Sequence, residues 1–350
     1  MSTTTISKVK LSILLLLLLF CASCNSKKAA LPAKHIPQIK GQWQLLYRPD
    51  PNTVGHYIND HTLFQHTDGT WHLIGITSPK LPANPEEELY LAHGIGKQLI
   101  EPDGYIDAPI IADHGEKAWA PHAVWHNDLL YLFYSPVSMR LITSEDTKTW
   151  TKPQVLFEHS WGDPKAVPFQ PSDPFRDAMV LKVDENKWLM YATRLVTTDQ
   201  PKNYSAVGLY ESTDLVNWKD IGFALTTSGN APYNLPYSSC ESPFVMKYGD
   251  WYYLAFTYVD YEHNFVASYE NTIVFRSLHP NDPYHFGDYN GDESMIIARL
   301  KSHAPEFVVN PDDGKWYITT CGWLGCPNPK PGAVSIAELQ WAEQSVPETN

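Results

Sequence analysis

Hydrophobic residues are distributed along this chain in two different ways. Leu11 to Phe20 is a nearly continuous apolar run, interrupted only by Ser12 and preceded by Lys8 and Lys10. About ten residues are too few to cross a bilayer as a helix, so the run predicts a signal peptide over residues 1–23. Beyond residue 40 the apolar stretches become short, alternate with polar positions and end in Asp, Asn or Gly turns, which is the pattern of β-hairpins. Five hairpins share one plan: a polar or charged head residue, a short strand, a turn, then an aromatic-rich strand. They are Asp60–Gly75, His122–Tyr134, Asp177–Tyr191, Glu241–Phe256 and His303–Ile318. Their heads recur about sixty residues apart, the length that a four-stranded blade with its loops occupies. A second echo, Ser-x-Asp-x-x-x-Trp at Ser144–Trp150 and Ser212–Trp218, falls in outer-strand positions. The expected fold is all-β, a single five-bladed β-propeller over residues 41–350. A polar tether over residues 24–40 joins it to the signal peptide.

Innermost strands of a propeller begin at the same end, so the five heads are expected to converge on one rim of the axial funnel. Asp60, His122, Asp177, Glu241 and His303 would then stand in one register. Three carboxylates and two imidazoles are costly to bury together without a task. One Asp or His at a strand start is usually a turn-former; a ring of five is not explained that way. Composition supports the all-β reading, with 13% aromatic residues and 28 Pro. A net charge of −13 excludes nucleic acid as a partner, because phosphate binding needs basic surface. No Cys/His spacing fits a zinc motif, and Cys321 with Cys326 reads equally as a small disulfide loop or as two buried thiols.

Two resemblances extend this reading. Cys21-Ala22-Ser23-Cys24 resembles a bacterial lipobox, with Cys21 where Leu is usual. That implies a lipid on Cys24 and export across the inner membrane. The expected location is a bacterial membrane, chiefly the outer one, on the cell-surface or periplasmic side. The five hairpins, in turn, resemble those of the five-bladed propeller glycoside hydrolases, chiefly family 43. Asp60 with Asp68-Gly69, Trp119-Ala120-Pro121, Asp177, Glu241 before Pro243, and His303 fit that family's blade-by-blade pattern. Asn59-Asp60, Arg176-Asp177 and the neighbours Cys240-Glu241 are similar to motifs of family 32. Trp119-Ala120-Pro121 is foreign to that family, and little chain follows blade five for its usual C-terminal β-sandwich.

The family 43 resemblance implies an inverting glycosidase that releases xylosyl or arabinofuranosyl residues from polysaccharides or oligosaccharides. Asp60 would activate water, Glu241 would protonate the leaving oxygen and Asp177 would tune the acid. Asn59, Trp119, His122, Arg176 and His303 are the expected substrate-binding residues, with Trp125 and Trp323 as further stacking candidates. The resemblance requires no cofactor, and it leaves room for a structural Ca2+ on the axis with His303 as a ligand. A monomer is expected. The family 32 resemblance implies instead a retaining fructofuranosidase-like enzyme with Asp60 as nucleophile. A surface glycan-binding propeller without catalysis is the reading outside enzymology, and three mutually repelling carboxylates argue against it.

Overall fold

The computed structural model describes residues 32–80, 87–111, 114–135, 138–158, 176–196, 204–226, 238–260, 265–281 and 296–344. The signal peptide and Cys24 lie outside these residues. The described strands all belong to the unit Lys34–Asn350. They form five antiparallel four-stranded sheets, the blades of a β-propeller. The first strand in sequence, β1 (His35–Tyr47), belongs to the last blade. Blade one is β2 (His61–Gln65), β3 (Trp71–Thr77), β4 (Tyr90–Gly96) and β5 (Ile106–Ile111). Blade two is β6 (Trp119–His126), β7 (Leu129–Ser135), β8 (Ser138–Ser144) and β9 (Gln154–Glu158). Blade three is β10 (Arg176–Asp184), β11 (Lys187–Val196), β12 (Tyr204–Ser212) and β13 (Trp218–Thr226). Blade four is β14 (Ser238–Tyr248), β15 (Trp251–Asp260), β16 (Asn271–Ser277) and β17 (Ala298–Lys301). Blade five is β18 (Phe307–Val309), β19 (Trp316–Thr320) and β20 (Val334–Glu343), completed by β1.

Turn chemistry fixes the hairpins. Asn127 and Asp128, with φ of 51° and 61°, make the two-residue connection between β6 and β7, and Gly69 at 90° closes the turn between β2 and β3. These positive φ values suit the right-handed twist of the paired strands. The Ser-x-Asp-x-x-x-Trp echoes connect β8 to β9 and β12 to β13. In each, the Asp carboxylate accepts backbone N–H bonds two and three residues on, at 2.8 and 2.7 Å for Asp146 and at 2.9 and 2.7 Å for Asp214.

Apolar layers between blades hold the ring together. Ile74 and Leu91 of blade one meet Leu132 and Ile142 of blade two. Phe133 of blade two meets Trp188 and Tyr210 of blade three. Blades three, four and five share one larger layer around Tyr191, Phe256, Phe275 and Ile318. Each such fully buried side chain contributes about 1.5–3 kcal/mol. The ring is closed by β1, which pairs antiparallel with β20 from His35↔Glu343 to Tyr47↔Val334. This corrects the expected tether boundary, because residues 35–40 are strand. Their polar edge pattern, with Gln38 and Lys40 exposed, resembles a linker, but Pro37 is buried and Ile39 packs on the blade-four layer.

Candidate active site

Four inner strands carry a kink near their start. Ala120, Asp177, Ser242 and Ala304 have φ of 44°, 60°, 51° and 41°, the left-handed region that L residues rarely adopt. In three of these blades the ladder register shifts across the kink, between Trp119 and His122, Arg176 and Met179, and Glu241 and Phe244. Such a bulge lets neighbouring residues reach the same side of a strand.

The kinks set a true register that differs from the expected one. Trp119, Arg176, Glu241 and His303 stand just before the kink, Asp177 stands at it, and His122 lies two residues beyond, level with Glu306. Relative to the kinks, the heads of blades two to five therefore stand at three positions and not in one register. The physical reason is the bulge, which breaks the strict alternation on which a common register depends. The axial pocket is lined from all five blades, by Asp60 and His61, Ala120 to His122, Asp177 to Met179, Ser242 to Phe244, and Ala304 to Glu306.

Asp60, Asp177 and Glu241 come together in this funnel, all buried. Arg176 joins two of them: its Nη1 donates to Asp177 Oδ2 at 2.7 Å and its Nη2 donates to Glu241 Oε1. Asp177 Oδ2 also accepts from Thr193 Oγ1 at 2.9 Å and from the Ser242 backbone N–H at 3.1 Å. The Ser242 hydroxyl donates to Asp60 Oδ2 at 2.9 Å. Ser242 thus ties Asp60 to Asp177, a role hidden in the sequence because it depends on two other blades. Asp60 Oδ1 is buried without a hydrogen-bond partner, and His303 Nε2 lies 3.7 Å from it.

Burial, reinforced by the charge of Asp177 and opposed by Arg176, pushes the Asp60 carboxyl up to about 7. Burial also raises Asp177, against the pull of Arg176. The charge of Asp177 acts directly on Asp60, so a proton on one changes the proton affinity of the other. Burial lowers the His303 imidazole and brings His122 down to about 4.

The other expected site residues are placed as follows. The His122 ring is hydrogen-bonded through Nε2 to the Val180 carbonyl at 3.3 Å, so that nitrogen faces protein. Trp119 stands at the rim, half-buried, with Lys117 Nζ 5.1 Å from its ring centroid. Asn59 Oδ1 faces the Cys321 thiol at 3.8 Å. Trp125 packs edge-on against His66, away from the axial pocket, whereas Trp323 packs at right angles to Tyr269 beside His303. Cys321 and Cys326 are free thiols.

Two further acids went unnoticed in the sequence. Glu88, which accepts a hydrogen bond from the Tyr57 hydroxyl, is pushed up to about 7 by burial, with Asp60 adding to the shift. Glu306 lines the pocket and is raised well above the usual carboxylate range by burial. The repeated small-residue–Pro pair in Trp119-Ala120-Pro121, Glu241-Ser242-Pro243 and His303-Ala304-Pro305 is the signal that could have aligned Glu306 with His122.

Asp60, His303 and Cys321 each offer a ligand atom, all within 4.8 Å of one another, and together could coordinate a metal ion such as Ca2+. A Ca2+ there would need further oxygen ligands from water or substrate, since that ion takes six to eight. The carboxylates themselves, two linked by Arg176 and the third, Asp60, bonded to the Ser242 hydroxyl, are a set able to donate a proton on one side of a bond and attack on the other.

Residues 52–320 match the sequence model of the Glycosyl hydrolases family 32 N-terminal domain. No curated protein matches the chain. Among solved structures, the chain is similar to a thermostable family-43 glycoside hydrolase, with a TM-score of 0.60 and 17% identity over 85% of this chain and 99% of that one. It is similar to a Bombyx mori family 32 β-fructofuranosidase solved with sucrose, with a TM-score of 0.57 and 18% identity over 86% of this chain. It spans 62% of that enzyme's chain. The catalytic domain of a Coprinopsis cinerea family 62 α-L-arabinofuranosidase also shares the fold, with a TM-score of 0.57 and 14% identity over 88% of this chain and 98% of that one. At these identities the structural likeness speaks for the five-bladed propeller fold alone.

Proposed function

The chain belongs to the glycosyl hydrolase family 32 N-terminal domain family, and from that premise we propose that it is a retaining, fructofuranosidase-like glycosidase acting on oligo- or polysaccharide. The observation that carries this reading is the unequal partnering of the carboxylates. Asp177 and Glu241 are each bonded to Arg176, whereas Asp60 accepts from the neutral Ser242 hydroxyl, and Oδ1 of both Asp60 and Asp177 lacks a hydrogen bond. A nucleophile needs a free oxygen, and the one on Asp60 belongs to the carboxylate that Arg176 does not hold.

In the first step Asp60 Oδ1 attacks the anomeric carbon and forms a glycosyl ester. The bond to the leaving oxygen breaks as Glu241 gives that oxygen its proton. In the second step Glu241 takes a proton from water, the water oxygen attacks the same carbon, and Asp60 leaves as carboxylate. Asp177 and Arg176 are positioning residues: they fix Glu241 and, through Ser242, Asp60. Asn59, Trp119 and His303 are the residues this reading assigns to sugar contact.

A second reading has its own support. Trp119-Ala120-Pro121 at the second kink fits the family 43 pattern, under which Asp60 would activate water for an inverting release of xylosyl or arabinofuranosyl units. Wild-type protein incubated with sucrose and with aryl xylosides and arabinofuranosides, followed by proton NMR or polarimetry, tests both. A first-formed sugar of retained configuration supports the leading reading, and an inverted one replaces it with the second. Turnover of none of a broad glycoside panel would contradict a catalytic role.

A further inference from the structure

We propose that Asp60, His303 and Cys321 form a binding site for a borderline-soft divalent cation, with Zn2+ the best chemical match, and that a bound ion stops hydrolysis by occupying Asp60. The donor set is one carboxylate oxygen, one imidazole nitrogen and one thiol, with all three residues buried. Thiol and imidazole ligands favour zinc-like ions, and the thiol is a poor ligand for a hard cation.

Three features of the geometry favour an ion here. Asp60 is only 5% exposed, and its Oδ1 points into the cluster without a hydrogen-bond partner. The His303 Nδ1 lies 3.0 Å from the Cys321 carbonyl, so an N–H on that nitrogen donates to it and leaves the Nε2 lone pair facing Asp60 Oδ1. This is the outer-shell arrangement that orients metal-bound histidines. The charges around the site also favour a cation: among the described residues, three buried carboxylates, Asp60, Asp177 and Glu241, stand beside the guanidinium of Arg176, which pairs with the last two.

The ligand atoms lie within 4.8 Å of one another. Tetrahedral zinc with bonds of about 2.0–2.3 Å holds its ligands roughly 3.5 Å apart. The side chains therefore need to close by on the order of 1 Å, which rotation of Asp60 and Cys321 supplies. On binding, the Cys321 thiol releases its proton to solvent and coordinates as thiolate. Water from the funnel takes the fourth position. Cys326, whose Sγ lies 3.8 Å from His303 Nδ1, sits on the other side of the ring and is not a ligand.

The metal site stands on its own geometry, whereas its inhibitory effect rests on the role proposed above for Asp60. The test is a titration of the reduced full chain with Co2+, read by the near-ultraviolet thiolate-to-cobalt band. The band should saturate at one ion per chain and be displaced by Zn2+. Cys321→Ser and Cys321→Ala, each checked by thermal melting, should abolish it, Cys326→Ser should keep it, and Asp60→Asn should weaken binding at least tenfold. Absence of the band in the wild type, its survival without Cys321, or its loss with Cys326 alone would overturn the site. In parallel, Co2+ should inhibit glycoside hydrolysis with the midpoint of the spectral titration, and Zn2+ should inhibit at lower concentration. Full activity with the site filled would refute the shut-off while leaving the metal site intact.

Discussion

The inner and outer ends of the blades both carry aspartates, and the fold treats them in opposite ways. At the outer turns Asp146 is drawn down to about 2 by backbone N–H bonds from Thr149 and Lys148. Asp214 falls to about 2 as well: burial raises it, and the bonds from Asn217, Val216 and Ser212 together outweigh that cost. At the funnel Asp60 is pushed up to about 7 by burial and by its acidic neighbours. The outer aspartates are satisfied, exposed to water and shape a turn. The inner one is dry, short of hydrogen bonds and flanked by strained backbone at Asp177 and Ser242. Residue type says little about role; the number of donors and the access of water decide it.

The contrast can be broken most severely from the inner side. Glu241→Gln should lower turnover of substrates with poor leaving groups by about 10²–10⁴-fold, the usual worth of a general acid. Aryl glycosides with activated leaving groups should lose far less, because they need little protonation. Steady-state kinetics on both substrate types decides the matter, and equal losses would remove Glu241 from the acid's role.

A weaker perturbation sharpens the electrostatic half of the comparison. As nucleophile or base, Asp60 must be ionised, so activity should fall as pH drops through about 7. Arg176 holds the Asp60 carboxyl down, so Arg176→Met should move this acid limb to higher pH by on the order of one unit, and Arg176→Lys should restore part of it. A pH–rate profile that is unmoved in Arg176→Met would detach Arg176 from the titration of the site.

The smallest effect belongs to the outer turn. Asp214→Ala removes two backbone acceptor bonds and should cost about 1 kcal/mol of stability after allowance for solvent screening, with kcat/KM unchanged. The folded pKa of Asp214 lies below its unfolded value. Its contribution is therefore present above about pH 4 and lost as pH falls through about 2. Urea melts of both proteins across that range test this, and a difference that persists at the lowest pH would contradict it.

Much of the fold could be read from residues whose local chemistry decides their structure. Hairpin turns at Asp68-Gly69 and Asn127-Asp128, and the aromatic second strands, mark five blades without reference to the rest of the chain. The closing strand β1 was obscured because its partner lies some 300 residues away and its exposed Gln38 and Lys40 mimic a linker. Within the site, Asp60, Asp177 and Glu241 stood out as charged residues at strand heads. Their register relative to one another did not, since the kinks at Asp177 and Ser242 interrupt the regular strand alternation. The hydroxyl of Ser242 meets Asp60 from another blade, and the Glu88 carboxyl meets the Tyr57 hydroxyl from 31 residues away.

The account depends on Asp60 as the group that attacks, and Asp60→Ala tests it most directly. The variant should fold with a thermal midpoint close to that of the wild type, because the change relieves a buried, underpartnered carboxylate. Turnover should fall by several orders of magnitude on activated and unactivated substrates alike. Added azide should then restore turnover in part by attacking the anomeric carbon in place of Asp60, yielding a glycosyl azide of inverted configuration. Near-normal turnover of the true substrate by folded Asp60→Ala would contradict the account at its centre.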